Sequence, residues 1–316
     1  MKTKTLVLSA VCIIFILLAA NLQTSFAGQK GSQVQYQFTS ISVVGKETEA
    51  YGINQGGDIV GGFVSSSSTY STFSTDAYHG FISDRGMIET IDVPSSYGSD
   101  TVVYGINPRG KAVGGYKGIG GTDHGFLVDG DVFETVDFPD ASGLGFYPTI
   151  AYGINEQGYI VGKYTDSLGT HGFLKDSSGF TTIDVADSAG DAYPTTIAYG
   201  INRQGQIVGS FTDSSGKSHG FLEDNGIFIE INASDTLGET AADTFAYGIN
   251  PQSQIVGAYM NNTGSHGFLY DNGIFTSINV DFAGATNTCV FGINRHGNIA
   301  GSYLDSNGKT RGFLGK

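Results

Sequence analysis

The sequence Tyr-Gly-Ile-Asn occurs at Tyr51, Tyr104, Tyr152, Tyr199 and Tyr247, and a sixth time with Phe291 in the aromatic place. The copies are spaced by 44 to 53 residues, so one supersecondary unit is repeated along the chain. A unit of that size buries its apolar face only against another copy. Any function must therefore be carried by a surface assembled from six near-equivalent pieces.

Ahead of the first copy, Lys2 and Lys4 precede an apolar run from Leu6 to Ala20, and Ser25-Phe26-Ala27 offers small residues for cleavage, the layout of a secretory signal. Cleavage after Ala27 is expected, leaving residues 28–316 as one six-repeat domain, secreted outside the cell or, alternatively, into a periplasm. The run is shorter than the roughly 20 residues that cross a bilayer, so no membrane insertion is expected of the processed chain. Loss of Lys2 and Lys4 takes the formal charge from −14 to −16. Such a field repels nucleic acid and anionic lipid. Cys12 leaves with the signal, and Cys289 then has no partner for an intramolecular disulfide. A monomer held together by packing is expected.

The third copy shows the unit most clearly. Four β-branched and aromatic runs, Thr149–Asn155, Tyr159–Tyr164, from His171, and Phe180–Val185, are separated by Gly, Ser, Asn and Asp, the chemistry of antiparallel strands and tight turns. Alternation along the first strand puts Thr, Ala, Gly and Asn on one face and Tyr and Ile on the other. The bulky face of one sheet is expected to pack into the small face of the next. After the Asn, the form Asn-x-x-Gly (Asn107 to Gly110, Asn155 to Gly158, Asn202 to Gly205) predicts a type I turn, with Ser253 the one departure from Gly.

The last copy stops after its third strand, at Phe313-Leu314-Gly315-Lys316. The missing fourth strand stands at the other end, where Phe38-Thr39-Ser40-Ile41-Ser42-Val43 parallels Phe275-Thr276-Ser277-Ile278-Asn279-Val280. A ring closes in this way and a linear stack has no need to. The expected fold is all-β, a six-bladed β-propeller of four-stranded antiparallel blades, with the N-terminal strand completing the last blade and removing an exposed edge.

The ordered motifs Gly-Ile-Asn, Ile-Val-Gly and His-Gly-Phe resemble the extracellular HAF-repeat family, in which the third motif is His-Ala-Phe. The resemblance covers essentially all of residues 28–316. It implies a secreted repeat protein and brings no catalytic residue with it.

Function is expected where the repeat varies. The connections from each fourth strand to the next first strand differ most in length and supply Tyr97, Tyr147 and Tyr193 together with Asp191 and Asp243. Aromatics beside carboxylates suit sugar rings, so these five residues are the candidate ligand contacts. Glu49 is an acid in a slot filled elsewhere by Val102, Ile150, Ile197, Phe245 and Cys289, and is the one candidate for catalysis. No metal site is expected. His79, His124, His171, His219 and His266 open the third strands of separate sheets and diverge, and Arg311 replaces the sixth. Each is read as a structural post bonded to a neighbouring turn. No calcium loop, phosphate loop, paired-Cys zinc motif or nucleophile elbow is present, and no cofactor is expected. The leading expectation is a non-catalytic module that binds a glycan or protein partner on the long-loop face. Alternatives are a polysaccharide hydrolase or lyase using Glu49 and a loop Asp, and a structural envelope or matrix component.

Overall fold

In every repeat the β-branched and aromatic runs become four antiparallel strands joined by tight turns. The computed structural model describes residues 35–43, 46–65, 78–140, 143, 145–186, 192–233 and 243–316, and the expected signal segment and Asp191 lie outside them. Tyr36–Lys316 forms one compact unit. Among the described residues there are 24 strands and no helix. The strands make four sheets of four and one of eight. The larger sheet is two four-stranded antiparallel sets, the third and fourth repeats, joined by a single parallel bridge between Thr170 and Thr195. In the sixth repeat, Thr286–Ile293, Ile299–Leu304 and Thr310–Gly315 are completed by Phe38–Ile41, which pairs with the last of them from Phe38 opposite Gly315 to Ile41 opposite Gly312.

The third repeat, Thr149–Ile154, Ile160–Thr165, Thr170–Asp176 and Gly179–Ile183, shows what the motifs do. Ala151 lies opposite Gly162, yet Gly153 lies opposite Val161, so Tyr152 is an extra residue in the first strand. The same bulge falls at the motif aromatic in all six repeats. A bulge re-aims the side chain it carries. This corrects the expectation from simple alternation. The aromatics do not fill the space between facing sheets. They meet one another, from Tyr51 through Tyr104, Tyr152, Tyr199, Tyr247 and Phe291 back to Tyr51, with successive ring centroids 4.9 to 5.1 Å apart.

Packing inside each sheet depends on the Phe of His-Gly-Phe, or of Arg-Gly-Phe in the sixth copy, fully buried in all six. Its ring lies over the Gly of Ile-Val-Gly on the neighbouring strand. A Cβ added at Gly162 would stand 2.7 Å from the Phe173 ring and 2.0 Å from the Ile150 carbonyl oxygen. Between sheets, the buried first-strand Thr ties consecutive repeats. Thr48, Thr101, Thr149, Thr196, Thr244 and Thr288 each accept, at 3.0 to 3.2 Å, the N–H that follows the preceding outer strand.

The motif Asn has two roles. Asn155 Oδ1 accepts the N–H groups of Gln157 and Tyr159 and so shapes its own turn. Its Nδ2 donates to the Asn202 carbonyl at 3.2 Å. The same donation runs from Asn54 to Asn107, Asn107 to Asn155, Asn202 to Asn250, Asn250 to Asn294 and Asn294 to Asn54, at 3.1 to 3.4 Å.

Two stability outcomes follow. Asn155→Asp keeps the turn acceptor but loses the donor, and a buried carbonyl left unmet costs about 1–3 kcal/mol. Urea unfolding should therefore show a loss of that size or more. At the turn that departs from Gly, Ser253 holds φ +61° where Gly57, Gly110, Gly158, Gly205 and Gly297 hold +78° to +92°. A left-handed L-residue costs about 1–2 kcal/mol, partly offset by the Ser253 hydroxyl bond to Gln206 Oε1 at 2.7 Å. Ser253→Gly should gain about 0.5–1 kcal/mol in the same assay.

Candidate functional site

The first strands begin, and the second strands end, on the face that carries the long connections. There Glu49 accepts a hydrogen bond from the Tyr51 hydroxyl at 2.5 Å. It lines two neighbouring cavities. One, of about 280 Å³, also takes in Tyr51, Tyr78, Asp100, Tyr104, Tyr116, Lys117 and Asp123. The other, of about 480 Å³, extends past Ser265, Asn287 and Ser302. A smaller cavity of about 100 Å³ is lined by the six motif aromatics alone.

Electrostatics mark Glu49 as unusual. Burial pushes its carboxyl above the ordinary range, with the Tyr51 bond opposing and Glu47 adding. Burial likewise pushes the Tyr51, Tyr104, Tyr152, Tyr199 and Tyr247 hydroxyls up, so they remain protonated donors at neutral pH. Lys117 pairs with Asp123 at 2.6 Å. Burial lowers the pKa of Lys163, Asp123 opposes that and Lys117 reinforces it. Asp100 Oδ1 accepts the Tyr78 N–H at 3.0 Å, which fixes the start of that strand. The cavity thus offers carboxylate acceptors, phenol donors and ring surfaces together. Burial pushes the nearby Cys289 thiol up to about 11. A thiol so far from ionisation behaves as a small apolar side chain.

Of the loop residues expected to bind ligand, Tyr97, Tyr147, Tyr193 and Asp243 line none of these cavities. Tyr147 stacks on Tyr164 at 5.6 Å and packs against the core of its own sheet. Tyr193 does the same on Phe211, at 5.1 Å. Tyr97 is 43% exposed and meets the Phe133 ring at 5.0 Å. Asp243 Oδ1 accepts the Ser218 N–H at 2.8 Å, tying the fifth repeat to the fourth. Alignment of the repeats against one another would have found the residues that do gather at Glu49. Tyr78 and Asp123 stand before the motif His where other copies have Thr170, Ser218, Ser265 and Thr310, and Lys117 follows the second-strand aromatic where others have Val64, Thr165, Thr212, Met260 and Leu304.

The motif histidines join turns. His171 stacks on Tyr164 at 5.0 Å, meets Asp184 through Nδ1 at 2.9 Å and meets Asp166 through Nε2 at 3.2 Å. His124 holds Asp137 and His219 holds Asp213 in related ways. In the sixth repeat Arg311 holds Asp305 at 3.0 Å and the Lys46 carbonyl at 2.8 Å. Among the described residues no group of three or more His, Cys, Asp or Glu is arranged to hold a metal ion.

Burial disfavours charge on His171, but Asp184 and Asp166 outweigh it and raise the pKa above 6.5. A raised pKa in the folded state stabilises below the unfolded value and is lost as pH rises through the folded one. Thermal unfolding should therefore show stability falling above pH ~6.5. His171→Gln should flatten that part of the profile, and an unchanged slope would exclude the clamp.

No family model and no curated protein matches the chain. Among solved structures it is similar to AofleA from Arthrobotrys oligospora, with 11% identity and a TM-score of 0.54 over 92% of this chain and 88% of that one. A triple arginine-to-alanine mutant of AofleA gives 12% identity and a TM-score of 0.52 over the same shares. A lower similarity is found to the Aleuria aurantia lectin, described as a six-bladed β-propeller with a novel fucose recognition mode: 10% identity and a TM-score of 0.46 over 87% of this chain and 93% of that one. The chain shares with AofleA the fold of nearly its whole length.

Proposed function

We propose that the chain is a secreted protein of the HAF-repeat kind, that its six repeats close into a six-bladed β-propeller, and that it binds a glycan on the long-loop face. Closure is supported by the bond from Asn294 to Asn54, by the Thr48 acceptor for the Val43 N–H and by the contact of Phe291 with Tyr51. Secretion is supported by the pattern of residues 1–27.

Glycan binding is carried by one observation. Glu49, Tyr51, Tyr78, Asp100 and Asp123 line a single cavity beside six mutually packed aromatic rings. Sugar rings present apolar C–H faces to aromatics and hydroxyl donors to carboxylates, and a concave site with a few convergent polar groups orients such a ligand. The negative charge of the chain favours neutral or basic glycans over acidic ones.

A glycan array probed with residues 28–316 tests this reading. Glu49→Gln and Asp100→Asn should each weaken the best binder roughly tenfold, about 1.4 kcal/mol. An array that retains no glycan sinks the proposal. The raised pKa of Glu49, within one cavity with Asp100, also favours a second reading, in which Glu49 is a proton donor for glycoside cleavage. Chromatography of the bound oligosaccharide separates the two. Cleavage that stops in Glu49→Gln while binding persists identifies an enzyme, and an intact oligosaccharide identifies a binding module.

A further inference from the structure

Residues of the sixth and first repeats line a groove of about 660 Å³ on the face of the Asn-x-x-Gly turns. One replacement in the first repeat borders it. The outer strand elsewhere carries Phe133, Phe180, Phe228, Phe275 and Phe38, each ring 5.4 to 5.6 Å from the buried Phe of its own sheet. The first repeat carries Ile88 instead. Opposite these positions stand Val128, Lys175, Glu223, Tyr270 and Gly315, and Ile88 faces Ser83. Val128 and Phe133 pack on the apolar cluster between the first two repeats. The corresponding cluster of Ala50, Ile53, Ile59, Phe81 and Ala300 is joined by Ile41, Phe63 and Leu314 but by neither Ser83 nor Ile88.

At the wall of this groove Gln55 Oε1 is buried with no hydrogen-bond partner, alone in this respect among the described residues. An unmet buried acceptor is costly and is ordinarily met by a donor. Ser40, Ser42 and Ser83 add hydroxyls, Ile53, Ile59 and Ile88 add an aliphatic floor, and the one ring among the lining residues is the His296 imidazole. The rim acids are partnered, Asp58 by Asn54 Nδ2 at 2.8 Å and Asp84 by Arg85 at 3.5 Å.

We propose that this groove is a second binding site, distinct from the aromatic one, for a small neutral ligand bearing a secondary amide. With the Gln55 side chain rotated into the groove, the amide N–H would donate to its Oε1, the amide carbonyl would accept from a serine hydroxyl, and the alkyl substituent would lie on the isoleucines. An acyl amino sugar and a peptide both supply this group.

Titration of ¹⁵N-labelled residues 28–316 with N-acetylglucosamine and with N-acetylalanine N-methylamide distinguishes those sources, with glucose as the control lacking an amide. At least one amide should shift the Ser83 and Ile88 resonances saturably while glucose does not. Ile88→Phe, which restores the residue of the other repeats, and Gln55→Met should each weaken that response at least tenfold without lowering the unfolding midpoint. Glu49→Gln should leave it unchanged, which separates this site from the glycan reading. No saturable shift with either amide, an equal response to glucose, or full binding by Ile88→Phe would overturn the assignment.

Discussion

The rest of the structure depends on the hydrogen bond from each motif Asn side chain to the next motif Asn carbonyl. All six of these residues are 1 to 4% exposed, so neither end of the carboxamide has water to fall back on, and both must be met within the protein. The oxygen is used in the turn of its own repeat and the nitrogen in the junction with the next. Asp would supply the first function without the second, and Ala neither. Because every repeat makes the same pair of bonds, local turn geometry and the spacing of neighbouring sheets are set by one side chain. The close approach requires Gly just ahead of it. A Cβ at Gly52, Gly105, Gly153, Gly200 or Gly248 would lie 2.6 to 2.8 Å from the carbonyl oxygen of the next repeat.

That spacing fixes where the aromatic residues go. The bulge at each motif aromatic turns it away from the sheet faces, and first strands held this near leave its ring in contact with the rings on both sides. Phenol groups in such a setting remain neutral donors, since burial disfavours their ionised form. Glu49 sits two residues before one of them and takes its hydroxyl bond. The chemistry of the site therefore arises from the architecture with one added carboxylate.

Much of this was legible in the residues themselves. The repeat length, the four runs per copy, the Asn-x-x-Gly turns and the strand displaced to the N-terminus are local patterns, and the strand pairing of Phe38–Ile41 with Thr310–Gly315 follows from them. The oddness of Glu49 was visible by the same comparison. What could not be read was long-range or depended on a register change. Asn Nδ2 finds its partner 44 to 53 residues away, or 240 residues away for Asn294, and a single bulged residue reverses the outcome of alternation for Tyr152. Position in a connection does not by itself expose Tyr147 and Tyr193. Their rings instead lie on Tyr164 and Phe211.

A six-fold repeat has a physical difficulty as a binding protein, because equal units make equal surfaces and a single ligand needs an unequal one. Here the inequality gathers near the first repeat. Glu49 and Tyr78 depart from the pattern on one face, with Lys117 and Asp123 of the second repeat beside them, and Ile88 departs on the other. These positions lie outside the Asn, Gly and Thr contacts that join the sheets, so they are free to change without opening the junctions. A residue that binds the next repeat is held to one identity by two neighbours. A residue that lines a cavity answers only to what enters it, and the departures of the first repeat are of that second kind.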